Sequence, residues 1–187
     1  MTKIEMHTDP NANRSSLVVT PAKAGIHRSA SASLAGMDPG LRRDDSVISA
    51  LRTSVVTEAE GWIGTPFHHA ARIKGAGVDC LMLLAEVYER AGVADHVEPP
   101  FYVPDWHLHR DAERYMEGRL RYARPVDAPD AGDIALFRFG RTFSHGAIVT
   151  RWPRLIHAYW AIGVVWGDAT LYPLNGRTVR FFTPFAS

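Results

Sequence analysis

Cysteine is nearly absent: the 187-residue chain has one, Cys80. A single thiol excludes an internal disulfide framework and any structural zinc site built on paired cysteines. An excess of either charge is missing too. Lys and Arg number 21 against 20 Asp and Glu, a net charge of +1, which leaves no electrostatic footprint for a general nucleic-acid binder. No apolar run approaches the roughly 18 residues that span a bilayer, and no secretory-signal core follows Lys3. Aromatic residues are missing from residues 1–46; all 19 (5 Trp, 6 Tyr, 8 Phe) lie between Trp62 and Phe185. What is present is a globular balance, 46% apolar and 22% charged, on a length that suits one domain plus a tail.

Residues 1–46 carry 6 basic and 5 acidic side chains, with Ser, Ala, Gly and Pro crowded between Ser15 and Gly40. Such a segment buries too little apolar area to offset its ordering entropy. The expectation is a disordered or poorly ordered tail over 1–46, with a short docking arm as the alternative, and a domain over 47–187. Thr20–His27 and Ala35–Asp45 also resemble translated intergenic repeat elements of some bacterial genomes. That resemblance implies an insertion or an over-extended reading frame, and it carries no chemistry.

From Val47 the pattern becomes helical. Val47, Leu51, Val55, Ala59 and Trp62 recur at helical spacing, predicting an amphipathic helix over 46–62 capped by Asp45 or Ser46 and ended by Gly64-Thr65-Pro66. Residues 71–79, punctuated by Gly75 and Gly77, read as a loop. Cys80–Ala91 is apolar almost all round, which marks a buried helix, stopped by Gly92. Residues 95–105 read as a loop and 105–122 as a polar-faced helix, followed by punctuation at Pro125 and Pro129. Short strand-like runs follow at 133–139, 145–150, 155–160, 163–166 and 178–182. Helices first and consecutive short strands after them predict an α+β fold with an antiparallel sheet.

Cys80 opens the buried helix. A helix N-terminus carries about half a positive charge and unpaired amide donors; it lowers a thiol's pKa and favours the thiolate. The same amides can stabilise an oxyanion formed at that sulfur. Asp79 is placed as a cap or orienting residue. The alternative is an inert cysteine packed as a small hydrophobe. Strands 145–150 and 155–160 read as a hairpin. With its turn centred near Arg151, His145 faces His157, and His145, Ala147, Val149, Leu155, His157 and Tyr159 share one face. One imidazole can then act as base toward a thiol while the other holds it by its second nitrogen. Two edge-strand histidines without a partner remain the alternative.

Trp62–Phe67, Gly77–Leu83, Ala131–Phe137, Ser144–Val149 and Leu155–Ala158, in this order, resemble the NlpC and p-sixty cell-wall peptidases, with the branch of phage tails and gene transfer agents nearest. The resemblance spans about residues 47–182. It implies a papain-like α+β fold in which a cysteine at the head of a helix packs against a sheet that supplies a histidine and a third polar residue. Residue by residue it makes Cys80 the nucleophile, His145 the general base and His157 the residue that orients it. It also implies cleavage of the bond between D-glutamate and the diamino acid of peptidoglycan stem peptides. The implied setting is a phage-like tail, with the protein made in the bacterial cytoplasm without a signal peptide, virion-associated, and acting on the periplasmic cell wall. The chain departs from the family in two places. Phe67 stands where the family often has Tyr, and Leu81-Met82 replaces a small pair, often Ser-Gly, after the cysteine.

Asp79, Phe67, Arg72 and Lys74 are the expected substrate-side residues, the two cations meeting free carboxylates of the substrate. No cofactor or metal is expected. His68 and His69 are adjacent, and His107 and His109 are two apart on a helix, so neither pair converges, and no His-Glu-x-x-His occurs. The reading is thus a thiol-dependent hydrolase of peptidoglycan stem peptides with phage-like tail proteins as partners. A papain-like amidase or acyltransferase with another substrate, and a non-catalytic tail-assembly protein, are the alternatives.

Overall fold

The apolar stripe that begins near Val47 does form a helix, and that helix starts earlier than its stripe. The computed structural model describes residues 39–96 and 123–185. In it α1 runs Pro39–Glu60, so Asp45 and Ser46, read as caps, lie inside the helix. Proline is tolerated in a helix's first turn, where its missing N–H would have no partner, and this lets the helix begin ahead of its apolar stripe. Val55, Ala59 and Trp62 are fully buried, Ile48 and Leu51 pack beside them, and Val47 is exposed. The Trp62 indole N–H donates to Glu58 Oε1 at 2.9 Å, so a large apolar ring is buried without stranding its donor.

Two short strands, β1 (Arg72–Ile73) and β2 (Gly77–Val78), pair antiparallel within the stretch read as a loop. Two residue pairs are too few to leave a periodic trace among glycines. Helix α2 follows at Cys80–Arg90, with Ala91 as its C-cap and Gly92 at φ 72°. The loop expected over 95–105 and the helix expected over 105–122 lie outside the described residues, apart from residues 95 and 96.

The remaining strands are β3 (Arg124–Val126), β4 (Ile134–Phe139), β5 (Thr142–Arg151), β6 (Arg154–Tyr159), β7 (Gly163–Asp168) and β8 (Val179–Thr183). They form one antiparallel sheet in the order β3-β8-β4-β5-β6-β7. Of these six, β3 is the one the sequence did not predict. Pro125 read as punctuation, but β3 is an end strand of this sheet, where proline's missing donor is tolerated. Helices followed by consecutive antiparallel strands are the α+β arrangement predicted above.

Strand alternation divides the sheet's side chains between two cores. Ile134, Leu136, Ile148, Ile156, Ala158 and Val164 pack with the helical residues Val55, Trp62, Leu81, Leu84 and Val87. Ala135, Phe137, Ala147, Val149 and Leu155 cluster with Leu174. Each fully buried aliphatic side chain contributes about 1.5–3 kcal/mol of burial free energy. Polar ties join α1 and α2 to the sheet's entry. Arg52 Nη1 donates to Asp133 Oδ1 at 2.8 Å and to the Ala131 carbonyl at 2.7 Å. The Tyr88 hydroxyl donates to the Gly132 carbonyl at 2.8 Å.

Candidate active site

The head of α2 is built by Asp79. Its backbone is extended, as an N-cap requires, and its Oδ1 accepts from the Leu81 and Met82 amides at 3.1 and 2.9 Å. Its Oδ2 accepts from the Ala70 amide at 2.8 Å, and His69 Nδ1 lies 3.5 Å away. One buried carboxylate thereby ends the helix and anchors the preceding loop, in which Ala70 holds a left-handed φ of 57°. A non-glycine residue in that region is uncommon and persists only where its surroundings hold it.

Cys80 follows the cap. Its Sγ lies 3.9 Å from the Ser144 carbonyl oxygen of β5, and the amides of Gly146, Cys80 and Leu81 donate toward the sulfur. Close approach to β5 depends on Gly146, since a Cβ there would sit 2.6 Å from Leu84 Cδ1 of α2. The recorded pairs between β5 and β6 run from Ile148–Ile156 to the turn. The thiol therefore meets the backbone of β5 at Ser144 and Gly146, ahead of the recorded β5–β6 ladder.

His145 lies between those two residues. Its Nε2 is 2.7 Å from Nδ1 of His157 on β6, with the two ring planes nearly perpendicular at 84°. The expected hairpin register is corrected here. Under that register Ile148 would face Arg154; it pairs with Ile156, because the turn lies at Trp152-Pro153 and the ladder shifts between Val149 and Arg151. The displacement is two residues, and an even slip keeps every side chain on its expected face. The two histidines are thus same-face neighbours on a diagonal rather than a directly facing pair. Gly167 of β7 leaves room for His157, since a Cβ there would lie 3.0 Å from His157 Nε2. Neither Gly146 nor Gly167 was singled out in the sequence; a glycine within a strand run is the signal that marks such close approaches.

The electrostatics differ from the sequence expectation. Burial, followed by the Asp79 carboxylate, pushes the Cys80 thiol up to about 12, outweighing the three amides that pull it down. Burial also holds His145 well below the ordinary imidazole value, with the neighbouring His157 and Arg177 acting in the same direction. Burial lowers His157 to about 4. At neutral pH the thiol and both imidazoles therefore rest neutral.

The other expected residues are placed as follows. Arg72 donates to Glu86 Oε1 of α2 at 2.6 Å and pairs with Glu89 at 3.1 Å. Lys74 pairs with Glu58 of α1 at 3.0 Å. Both cations tie the loop before Cys80 to a helix. Phe67 is half-buried against the helical core and forms a single bridge with Val78. His68 packs over Gly77; His107 and His109 lie outside the described residues. Among the described residues no cluster of three metal-ligating side chains is found, and no helix is long and apolar enough to cross a membrane.

No protein-family model matches the chain, and no curated protein does either. Solved structures do match. A NlpC/P60 family protein from Bacillus cereus ATCC 10987 aligns at a TM-score of 0.54 and 15% identity, over 73% of this chain and 40% of that one. NlpC2 from Trichomonas vaginalis aligns at 0.51 and 15%, over 73% and 47%. The NlpC/p60 domain of the peptidoglycan hydrolase SagA aligns over 71% of this chain and 97% of its own length, at 20% identity and a TM-score of 0.46. The chain spans less than half the length of the first two. At such identities the likeness defines the fold: this chain has the α+β, papain-like fold of NlpC/p60 proteins.

Proposed function

We propose that the chain is a cysteine peptidase that hydrolyses amide bonds in peptidoglycan stem peptides, between D-glutamate and the diamino acid, with Cys80 as nucleophile, His145 as general base and His157 as the residue that orients it. The observation that carries this reading is the 2.7 Å contact between His145 Nε2 and His157 Nδ1, with His145 borne on the strand whose backbone, at Ser144 and Gly146, meets the helix-head thiol. The shared fold supports the substrate class.

The ring contact admits two proton arrangements, of which one suits a base. One nitrogen of the pair must donate and the other accept. If His145 Nε2–H donates to His157 Nδ1, then His145 Nδ1 is left as the basic nitrogen and His157 carries its proton on Nε2. That is the tautomer a base needs. Because thiol and imidazole rest neutral, the Cys80 proton moves to His145 Nδ1 as Sγ attacks the scissile carbonyl. The S–C bond forms, the carbonyl electron pair moves to oxygen, and the Cys80 amide at the head of α2 faces the developing charge. The imidazolium then gives its proton to the leaving amine as the C–N bond breaks. Water, deprotonated by the same nitrogen, attacks the thioester and releases the new carboxyl terminus. Phe67 supplies no hydroxyl, so oxyanion stabilisation falls to the backbone amides.

The motif resemblance to phage-tail and gene-transfer-agent members supports a tail setting with phage-like tail proteins as partners. The chemistry is tested by digesting purified sacculi and identifying the new termini by mass spectrometry. The expected products are fragments ending in a newly freed D-glutamate side-chain (γ) carboxyl and fragments beginning with a free diamino-acid amine, both lost entirely in Cys80→Ala. Digestion that persists in Cys80→Ala would remove the thiol from the mechanism.

A further inference from the structure

Near His145, across the Phe139 ring, lies a group that neither the chemistry nor the motifs use. Arg177 lies in the segment before β8, half-buried. Its Cζ sits 3.6 Å from the centroid of the Phe139 ring. That ring in turn lies 5.0 Å from the His145 ring, tilted at 50°. The guanidinium is fixed rather than free. Its Nε donates to the Pro173 carbonyl at 2.6 Å, and its Nη1 reaches the Arg138 carbonyl at 3.4 Å.

The other half-buried cations near α1 and α2 are matched to carboxylates. Arg52 pairs with Asp133, and Arg72 with Glu86 and Glu89. Among the described residues Arg177 pairs with none; its recorded polar partners are two carbonyl oxygens. A cation held by neutral dipoles keeps its full field, whereas one paired with a carboxylate largely cancels it. Stacking on an aromatic face also desolvates the guanidinium and orders the ring beneath it.

We propose that Arg177 is a positioning residue for His145: stacked on Phe139, whose ring packs against the imidazole, it fixes the imidazole's orientation and sets a positive charge near it. The proposal rests on the reading of His145 as the general base. The groups that face or adjoin His145 are His157 and Tyr159 from β6, Phe137 and Phe139 from β4, and Arg177 from the segment before β8. Of these, His157 and Arg177 oppose a charge on His145. Arg177 is the permanent cation among them, so it acts at every pH at which the protein is folded. A resting imidazole that stays neutral is a base available to take the thiol proton, and one that cannot rotate presents the same nitrogen in each turnover.

The test follows the His145 ring by NMR titration in the full chain, with its resonances assigned by their loss in His145→Asn. Arg177→Gln should raise the His145 midpoint by about half a pH unit or more. The acid limb of kcat/KM should move upward with it. Arg177→Lys keeps the charge without the planar fork; its midpoint should stay near wild type while kcat falls several-fold. The same His145 titration in Arg177→Gln and in wild type, with matching melting curves, overturns the proposal. Should Arg177→Gln not fold, Phe139→Leu removes the stack with the charge retained. It should lower kcat several-fold at constant KM, and an unchanged kcat there also overturns the proposal. A wild-type chain that digests no sacculi counts against the reading of the site, whereas the titration still decides whether Arg177 acts on His145.

Discussion

Cys80 shows how two local forces on one atom are ranked. The head of α2 and three amides favour a thiolate, but burial and the adjacent Asp79 carboxylate prevail and push the thiol up to about 12. Reaction with iodoacetamide should therefore keep accelerating above pH 9. A rate plateau below about pH 7.5, the mark of a preformed low-pKa thiolate, would show that the ordering of these forces is wrong. The two histidines should also be unequal. His145→Ala removes the proposed proton acceptor and should cost on the order of a hundredfold or more in kcat. In the proposed triad His157 acts through its Nδ1, so His157→Gln or His157→Asn, which return an acceptor, should retain more activity than His157→Ala. Steady-state kinetics on a soluble muropeptide checks the ranking, and equal, negligible losses in both alanine variants would refute the arrangement.

At the scale of elements, the site depends on how the β6–β7 turn meets the segment after α1. Gly163 opens β7 at φ 81°, and a Cβ there would collide with the Thr65 carbonyl oxygen. That same oxygen accepts from the Val164 amide at 2.9 Å, and the Val164 carbonyl accepts from Gly64 at 2.9 Å. The turn, the Thr65-Pro66 segment and β7 thus interlock through backbone groups that have little room to yield. Gly163→Ala adds a left-handed penalty to a clash with backbone, and should cost about 1–3 kcal/mol of stability. Urea denaturation with an unchanged m-value measures it. A loss below about 0.5 kcal/mol would mean that the segment relaxes freely, as ordinary surface positions do.

For the whole molecule, the buried imidazoles make the fold acid-sensitive. In the unfolded chain His157 takes up its proton near the ordinary value of 6.5, while in the folded chain it resists until about 4. Between those values the unfolded state binds more protons, so stability falls as pH falls through the window and recovers above it. The 2.5-unit gap corresponds to a loss of up to about 3 kcal/mol, and His145, shifted in the same direction, adds to it. Denaturation midpoints at pH 7 and pH 4.5 should differ accordingly. His157→Gln should flatten the dependence, and a pH-independent midpoint in the wild type would contradict the burial of both rings.

Much of this was legible in the chain. The apolar run after Asp79-Cys80 defines a buried helix with its cap and its thiol at the head, because capping and periodicity are local properties. Strand alternation placed His145 and His157 on one face, and parity is robust: the observed register is two residues from the expected one, yet both side chains kept their face. The register itself was decided by the turn at Trp152-Pro153 and the ladder shift beside it, which spacing does not reveal. The extra strands β1, β2 and β3 escaped because two- and three-residue pairings exist only through their partners. Asp45 and Ser46 failed as caps because the backbone ahead of them continued the helix without an apolar stripe to announce it. The pairing of Arg72 and Lys74 with glutamates on α2 and α1, the stacking of Arg177 on the Phe139 ring beside His145, and the upward shift of the Cys80 thiol all depend on groups brought together from distant segments. Burial and through-space charge are sums over such neighbours, so they acquire a sign only when the tertiary structure is formed.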